Sequence, residues 1–351
     1  MRIAVTTYPM LWQRTGGLQV QILRTVAHLA RKGVDARLFD SLGARLGDYD
    51  LVHVFSAING AHLILREARA QNVPTVLSPI LQPGYNWPKF MRYRAASSLT
   101  GKLTAYENRT TYDDILSAVS CSDRLIALSE AERRVLTNGY SAEDRFVTTI
   151  PNGVDAAFFS ATPHAFTGHF NILSGFVLVV GSISSYKNQL GVIRATLQVS
   201  ERDVLLIGPV EDAGYLERCL KEGGERVRHL GMLAHDDPLL GSAYASAGVT
   251  VLASAGETFG LTAVESLASG TPAIITAANG LGLSPQPPWL QYVDPGDAGD
   301  LGRAIGAALS APMPTTGPCR QLVAHLDWKA TADRILEVYR DLTGAGAGAA
   351  S

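Results

Sequence analysis

The chain has 351 residues, 46% of them apolar and 18% charged, a balance that excludes an intrinsically disordered or fibrous protein and suits two globular domains. Only Cys121, Cys219 and Cys319 occur, far apart and without a CxxC pair, which gives neither a disulfide framework nor a zinc site and points to a reducing compartment. The net charge of −2 argues against a nucleic-acid-binding protein. Pro9 interrupts the amino terminus before a signal-peptide core develops, and no apolar run nears the ~18 residues that span a bilayer, so a cytoplasmic location is expected.

In chain order, β-branched or aliphatic runs alternate with amphipathic helical patterns, which predicts parallel sheets joined by crossover helices. Strands are expected over 2–7, 36–39, 50–55, 75–78, 124–128 and 146–150, then over 176–180, 203–207, 227–230, 249–253, 272–276 and 291–293. Between these sets of six, 160–175 carries Pro163, Gly168 and Gly175 with little periodicity and reads as a linker. Domains are therefore expected over 1–160 and 170–327. A last helix over 328–342 places Ala332, Ile335, Leu336 and Tyr339 on one face, before a Gly/Ala tail at 344–351.

Three motifs carry chemistry. Gly16 and Gly17 lie between the first strand and a helix, where side-chain-free backbone and free N–H groups can receive an anion. Without a GxGxxG pattern they disfavour a nicotinamide dinucleotide, and alone they would be a turn. The strand over 176–180 ends at Gly181, and Ser182 opens a small-residue loop that leads to Lys187 at a helix start, a lysine able to hold phosphate although no GxxxxGK[ST] loop is present. The third motif follows the strand over 249–253. Glu257 falls in the loop at that strand's carboxyl end, where open parallel sheets bind ligands, and Glu265 falls eight residues on, in the second turn of a helix opened by Gly260. Paired carboxylates bind vicinal sugar hydroxyls, and the amides around Phe259, Leu261 and Thr262 offer an anion site.

The segment Glu257-Thr258-Phe259-Gly260-Leu261-Thr262-Ala263-Val264-Glu265, followed by Gly270-Thr271-Pro272, resembles the E-x7-E signature of the retaining family 4 glycosyltransferases. The resemblance extends to Gly16-Gly17, to Asp50-Leu51-Val52-His53-Val54, to Ser129-Glu130-Ala131-Glu132-Arg133 and to Ile150-Pro151-Asn152-Gly153-Val154-Asp155. It implies the α/β GT-B fold, two Rossmann-like domains facing each other across a cleft, with the segment from Trp328 crossing back to the first. It also implies a nucleotide-diphosphate sugar as donor, used without a metal or other cofactor. By position, Glu265 would bind the ribose and Glu257 the transferred sugar. Lys187 with the amides of Phe259, Gly260 and Leu261 would hold the diphosphate, and the loop at Gly231-Met232-Leu233 would lie near the base.

Two positions depart from that family. Ser182 stands where an arginine usually follows the glycine, removing one cation, which Arg14 could replace. Ile80 stands near the place of a histidine after the fourth strand. These departures keep two alternatives open, an epimerase or hydrolase of nucleotide sugars and a non-catalytic nucleotide-sugar-binding protein. Asp48-Tyr49-Asp50 forms a DxD triplet but precedes a strand, so it reads as a strand entry, and His53 within that strand reads as a core histidine. Residues 1–165 hold 18 basic against 14 acidic side chains, a balance of +4, which leaves −6 for 166–351. Within the basic half, Tyr85, Trp87, Phe90, Tyr93 and Tyr106 interleave with Lys89, Arg92, Arg94, Lys102 and Arg109. That mixture suits an anionic or membrane-associated acceptor, and with it a peripheral place at the membrane.

Overall fold

The structure is a computed structural model and describes residues 1–13, 15–82, 87–103, 109–311 and 316–344. Arg14, Tyr85, Tyr106 and the end of the tail at 345–351 lie outside the described residues.

The chain divides into two units, Met1–Gly153 with Trp328–Ser351, and Val154–Asp327. Unit 1 runs β1 (Arg2–Thr6), α1 (Gly17–Arg31), β2 (Asp35–Leu38), β3 (Leu51–Phe55), α2 (Ala61–Ala70), β4 (Thr75–Ser78), α3 (Trp87–Leu103), α4 (Thr111–Ser120), β5 (Arg124–Ala127), α5 (Glu130–Arg134) and β6 (Val147–Thr149). Its six strands pair in parallel in the order β2-β1-β3-β4-β5-β6. Successive side chains of a strand leave on opposite faces. Ile3 and Val5 accordingly enter one core while Ala4 enters the other.

Unit 2 runs α6 (Ala156–Phe159), α7 (His164–Phe170), β7 (Val177–Val180), α8 (Gln189–Val199), β8 (Val204–Ile207), α9 (Ala213–Gly223), β9 (Val227–His229), α10 (Pro238–Ser246), β10 (Val249–Leu252), α11 (Leu261–Ser269), β11 (Ala273–Thr276), β12 (Leu290–Val293), α12 (Ala298–Leu309) and α13 (Thr316–Val323). Its parallel sheet has the order β12-β11-β10-β7-β8-β9, so the chain reverses its direction of travel between β7 and β10. In open sheets of this kind ligands bind beyond the carboxyl ends of the strands at that reversal. The last helix, α14 (Trp328–Thr343), returns to unit 1, where Ala332, Ile335, Leu336 and Tyr339 join the core of Ile3, Ile22 and Leu29.

All twelve expected strands form, each within a residue or two of its predicted ends. The linker does not fall at 160–175. The division comes at Gly153, and the expected linker instead contains α7, whose Phe166 is fully buried and whose backbone N–H donates to the Ser242 hydroxyl on α10. The misreading has a physical cause. A seven-residue helix anchored by one aromatic ring shows too few apolar positions for a 3.6-residue period to stand out.

His53 lies fully buried in β3, its Nδ1 2.6 Å from the Tyr339 hydroxyl on α14 and its Nε2 2.9 Å from the Ser78 hydroxyl on β4. It is a satisfied core histidine, and burial lowers its pKa to about 3. Asp50 accepts the Arg2 backbone N–H at 2.7 Å, and Asp48 accepts that of Arg45 at 3.3 Å, so the DxD triplet is a strand entry.

Candidate donor site

The site is built at the strand reversal of unit 2. β7 ends at Gly181 (φ +147°), and β8 ends at Gly208 (φ +150°). A Cβ on Gly208 would stand 2.0 Å from the Gly181 carbonyl oxygen, so the two loops touch backbone to backbone, which only glycine permits. Ser182 follows, and its carbonyl accepts from the Gln189 side chain at 2.8 Å. A short 3₁₀ turn over Ser185–Lys187 then brings Lys187 to the mouth of α8.

The loop after β10 is fixed from both sides. The Tyr186 hydroxyl donates to the Gly256 carbonyl at 2.6 Å, and the Ala255 N–H donates to the Tyr186 carbonyl at 2.9 Å. The Glu257 N–H donates to the Ala278 carbonyl, and the Glu257 carbonyl accepts from Gly280. Its carboxylate meets the Lys187 ammonium at 2.7 Å. The pair comes from two loops 70 residues apart in sequence and is mostly shielded from solvent.

Three residues on, Gly260 caps α11 in the left-handed region (φ +91°) with no side-chain hydrogen bond. A Cβ there would lie 2.5 Å from Ile275 Cδ1, so glycine is required twice over. The buried Phe259 and the opening residues Leu261 and Thr262 thus present a helix amino terminus that no side chain fills. Glu265, on the second turn, is only 5% exposed. Its Oε1 lies 2.8 Å from His235 Nε2, and its Oε2 accepts from the Tyr244 hydroxyl at 2.8 Å. Burial and the neighbouring carboxylate both push the Tyr244 hydroxyl well above its ordinary range, so it stays a donor. His235 Nδ1 faces Asp155 at 3.6 Å, and its ring packs edge-on against Phe158.

Of the residues expected from the sequence, the structure pairs Lys187 with Glu257 and sets Glu265 on the helix that begins four residues after Glu257. Gly231 (φ +78°) accepts the Gly208 N–H through its carbonyl, leaving Met232 53% exposed and Leu233 half-buried. Gly16 and Gly17 belong to unit 1, where Gly16 stands at the start of α1 without a side-chain cap. His235 and Tyr244 carry no motif signal, and only a lone histidine just ahead of an Asp-Pro helix start hints at one of them; Asp155, which closes the quoted Ile150–Asp155 motif, reaches Glu265 only through His235. Among the described residues no group of three or more His, Cys, Asp or Glu is placed to hold a metal ion.

A strand reversal over a parallel sheet, with an uncapped helix start and a Lys–Glu pair beside it, defines a unit of the doubly wound α/β class. Residues 175–311 match the family described as glycosyl transferases group 1, and 38–158 match glycosyltransferase family 4. The chain is 31% identical over 319 residues to D-inositol 3-phosphate glycosyltransferase of Nocardiopsis dassonvillei, covering 84% of this chain and 71% of that one. It is 29% identical to the enzyme of that name from Thermobifida fusca, covering 84% and 70%. Sucrose-phosphate synthase from Thermosynechococcus elongatus superposes with a TM-score of 0.78 at 21% identity, over 98% of this chain and 100% of that one. HepE from Anabaena, solved in complex with UDP, gives 0.75 at 17%, over 97% and 100%. The chain belongs to the family 4 glycosyltransferases, has their GT-B fold, and is a glycosyltransferase.

Proposed function

We propose that the protein is a retaining transferase that takes a nucleotide-diphosphate sugar in unit 2 and passes its sugar to an acceptor bound by unit 1. The observation that carries this reading is the meeting of Lys187 and Glu257 at the strand reversal, directly ahead of the uncapped start of α11. Lys187 and the amides of Phe259, Gly260 and Leu261 hold the diphosphate and stabilise the leaving charge without a metal. Glu265 binds the ribose hydroxyls, Glu257 the transferred sugar, and the Gly231-Met232-Leu233 loop the base. A carboxylate oxygen has two lone pairs, so Glu265 can accept from a ribose while His235 and Tyr244 hold its rotamer. The HepE complex with UDP and the relatives named for D-inositol 3-phosphate support a uridine donor and a phosphorylated polar acceptor as first trials.

The test is calorimetry of UDP binding together with nucleotide release from a panel of UDP-sugars, with and without D-inositol 3-phosphate. Glu265→Ala removes charge-assisted hydrogen bonds worth roughly 1.5–3 kcal/mol and weakens UDP by about one to two decades. Unchanged UDP affinity in a folded variant removes the ribose assignment. Acceptor-independent release marks a hydrolase, and binding without release a non-catalytic protein.

A further inference from the structure

Helix α3 of unit 1 is held by one narrow stripe. Phe90 is buried, with its ring edge-on to Tyr112 and to Tyr140 at 5.1 Å, and the buried Ser97 donates to the Asp113 carboxylate. These anchors are seven residues apart and share one side of the helix. At 100° per residue the opposite side carries Pro88, Met91, Ala95 and Leu99, all exposed, with Met91 at 42% and Leu99 at 60%. Arg92 shares this side, whereas Tyr93 and Arg94, though exposed, turn nearer the anchored side, where Arg94 acts on the Tyr112 hydroxyl. An ordinary surface helix turns its polar residues outward; α3 turns out apolar residues and a cation. Apolar character on both sides explains why the sequence shows no simple amphipathic pattern there.

The charge is one-sided. Residues 87–103 include Lys89, Arg92, Arg94 and Lys102 and no acidic residue. The acids on the neighbouring α4 are engaged elsewhere. Asp113 accepts from Ser97 and Thr110, and Asp114 pairs with Arg109 and faces His62. We propose that the outward side of α3 docks unit 1 on an anionic lipid surface, Met91 and Leu99 entering the headgroup boundary while Arg92 meets lipid phosphates. A soluble anion or a nucleic acid would use the cations and leave the apolar residues in water; a bilayer interface satisfies both. The proposal rests on the reading that unit 1 receives the acceptor and adds the face that would set this unit at a membrane.

The experiment is co-sedimentation of the full chain with vesicles of phosphatidylcholine alone and of phosphatidylcholine and phosphatidylglycerol in equal parts, at about 0.1 M and about 1 M salt. Binding is expected to the anionic vesicles only, and to be lost at the higher salt. Arg92→Gln should weaken it about fivefold, from one cation at about 1 kcal/mol. Met91→Ser with Leu99→Ser should weaken binding at the lower salt although every charge is kept. All three positions are exposed, so thermal unfolding should stay unchanged and separate lost docking from lost fold. No binding to anionic vesicles, or binding that both variants retain, overturns the proposal. Retention on heparin without vesicle binding marks a polyanion site instead. UDP binding reads the donor site separately: loss of UDP affinity with intact vesicle binding faults the transferase reading and leaves this one standing.

Discussion

Lys187 and Glu257 neutralise each other, so a diphosphate bound as proposed would draw Lys187 away from a carboxylate it holds at 2.7 Å. Two opposite effects follow from one contact. Glu257→Gln should tighten UDP by up to about fivefold, the worth of a partly exposed ion pair of up to about 1 kcal/mol, while slowing transfer because the sugar loses its carboxylate. Lys187→Ala should weaken UDP by more than about tenfold yet barely affect uridine, whose binding involves no phosphate. Calorimetry with the two ligands checks both, and equal losses for UDP and uridine would remove Lys187 from the diphosphate site. Glu132 is a second buried carboxylate, unrecognised in the sequence except as part of a motif. It accepts the backbone N–H groups of Leu81 at 2.6 Å and Leu128 at 2.7 Å and interacts with that of Ile80, which sits in the left-handed region at φ +58°. Burial outweighs these donors and raises its pKa to about 7.

Between elements, the tightest constraint is the contact of the loops after β7 and β8. Gly208→Ala forces a methyl into the Gly181 carbonyl at a backbone angle that L residues avoid, so those loops must part. A loss of several kcal/mol is expected, within the upper range for strain and overpacking, with UDP affinity falling alongside the melting temperature. The His53 link joins β3 and β4 to α14, and its pH dependence has a definite sign. The folded pKa of about 3 lies below the ordinary 6.5, so the unfolded chain takes up a proton that the folded one refuses. This contribution is whole above pH 6.5 and lost as pH falls toward 3, by about 1.4 kcal/mol per pH unit at its steepest. Glu132 acts oppositely: its contribution is whole below the ordinary 4.5 and lost as pH rises through 7. The two offset each other between pH 4.5 and 6.5, so the acid loss from His53 should emerge below 4.5. Denaturant titrations of His53→Gln beside the wild type check this, the gap between them narrowing as pH falls; a constant gap assigns the histidine no linkage.

For the whole molecule, the two units differ in how the chain makes them. Unit 2 is one continuous segment with its own sheet and core, whereas unit 1 takes α14 from the far end of the chain. Residues 154–327 expressed alone should fold cooperatively and bind UDP. Residues 1–153 alone should not reach that state, because Ile3, Ile22 and Leu29 lose the cover of Ala332, Ile335, Leu336 and Tyr339 and the His53 Nδ1 loses its partner. Fusing 328–344 to that fragment should restore it. A cooperative melt of 1–153 without α14 would show that the helix is dispensable. No helix among the described residues is long and apolar enough to cross a membrane.

The sequence by itself determined the twelve strands, the α/β class and the two-unit plan. Each of these is written in short-range periodicity or in glycines at fixed offsets, and a strand buried on both faces needs only a run such as Leu51–Phe55 to declare itself. Tertiary structure alone decided the rest. The boundary fell at Gly153 because α7 buries one phenylalanine against α10, a long-range contact with no local pattern. His235 and Tyr244 became partners of Glu265 because α10 packs beside α11, 21 to 30 residues away in sequence. The outward side of α3 became visible only once Phe90 and Ser97 had fixed which side faces in, since hydropathy records how apolar a helix is but not which neighbour covers it.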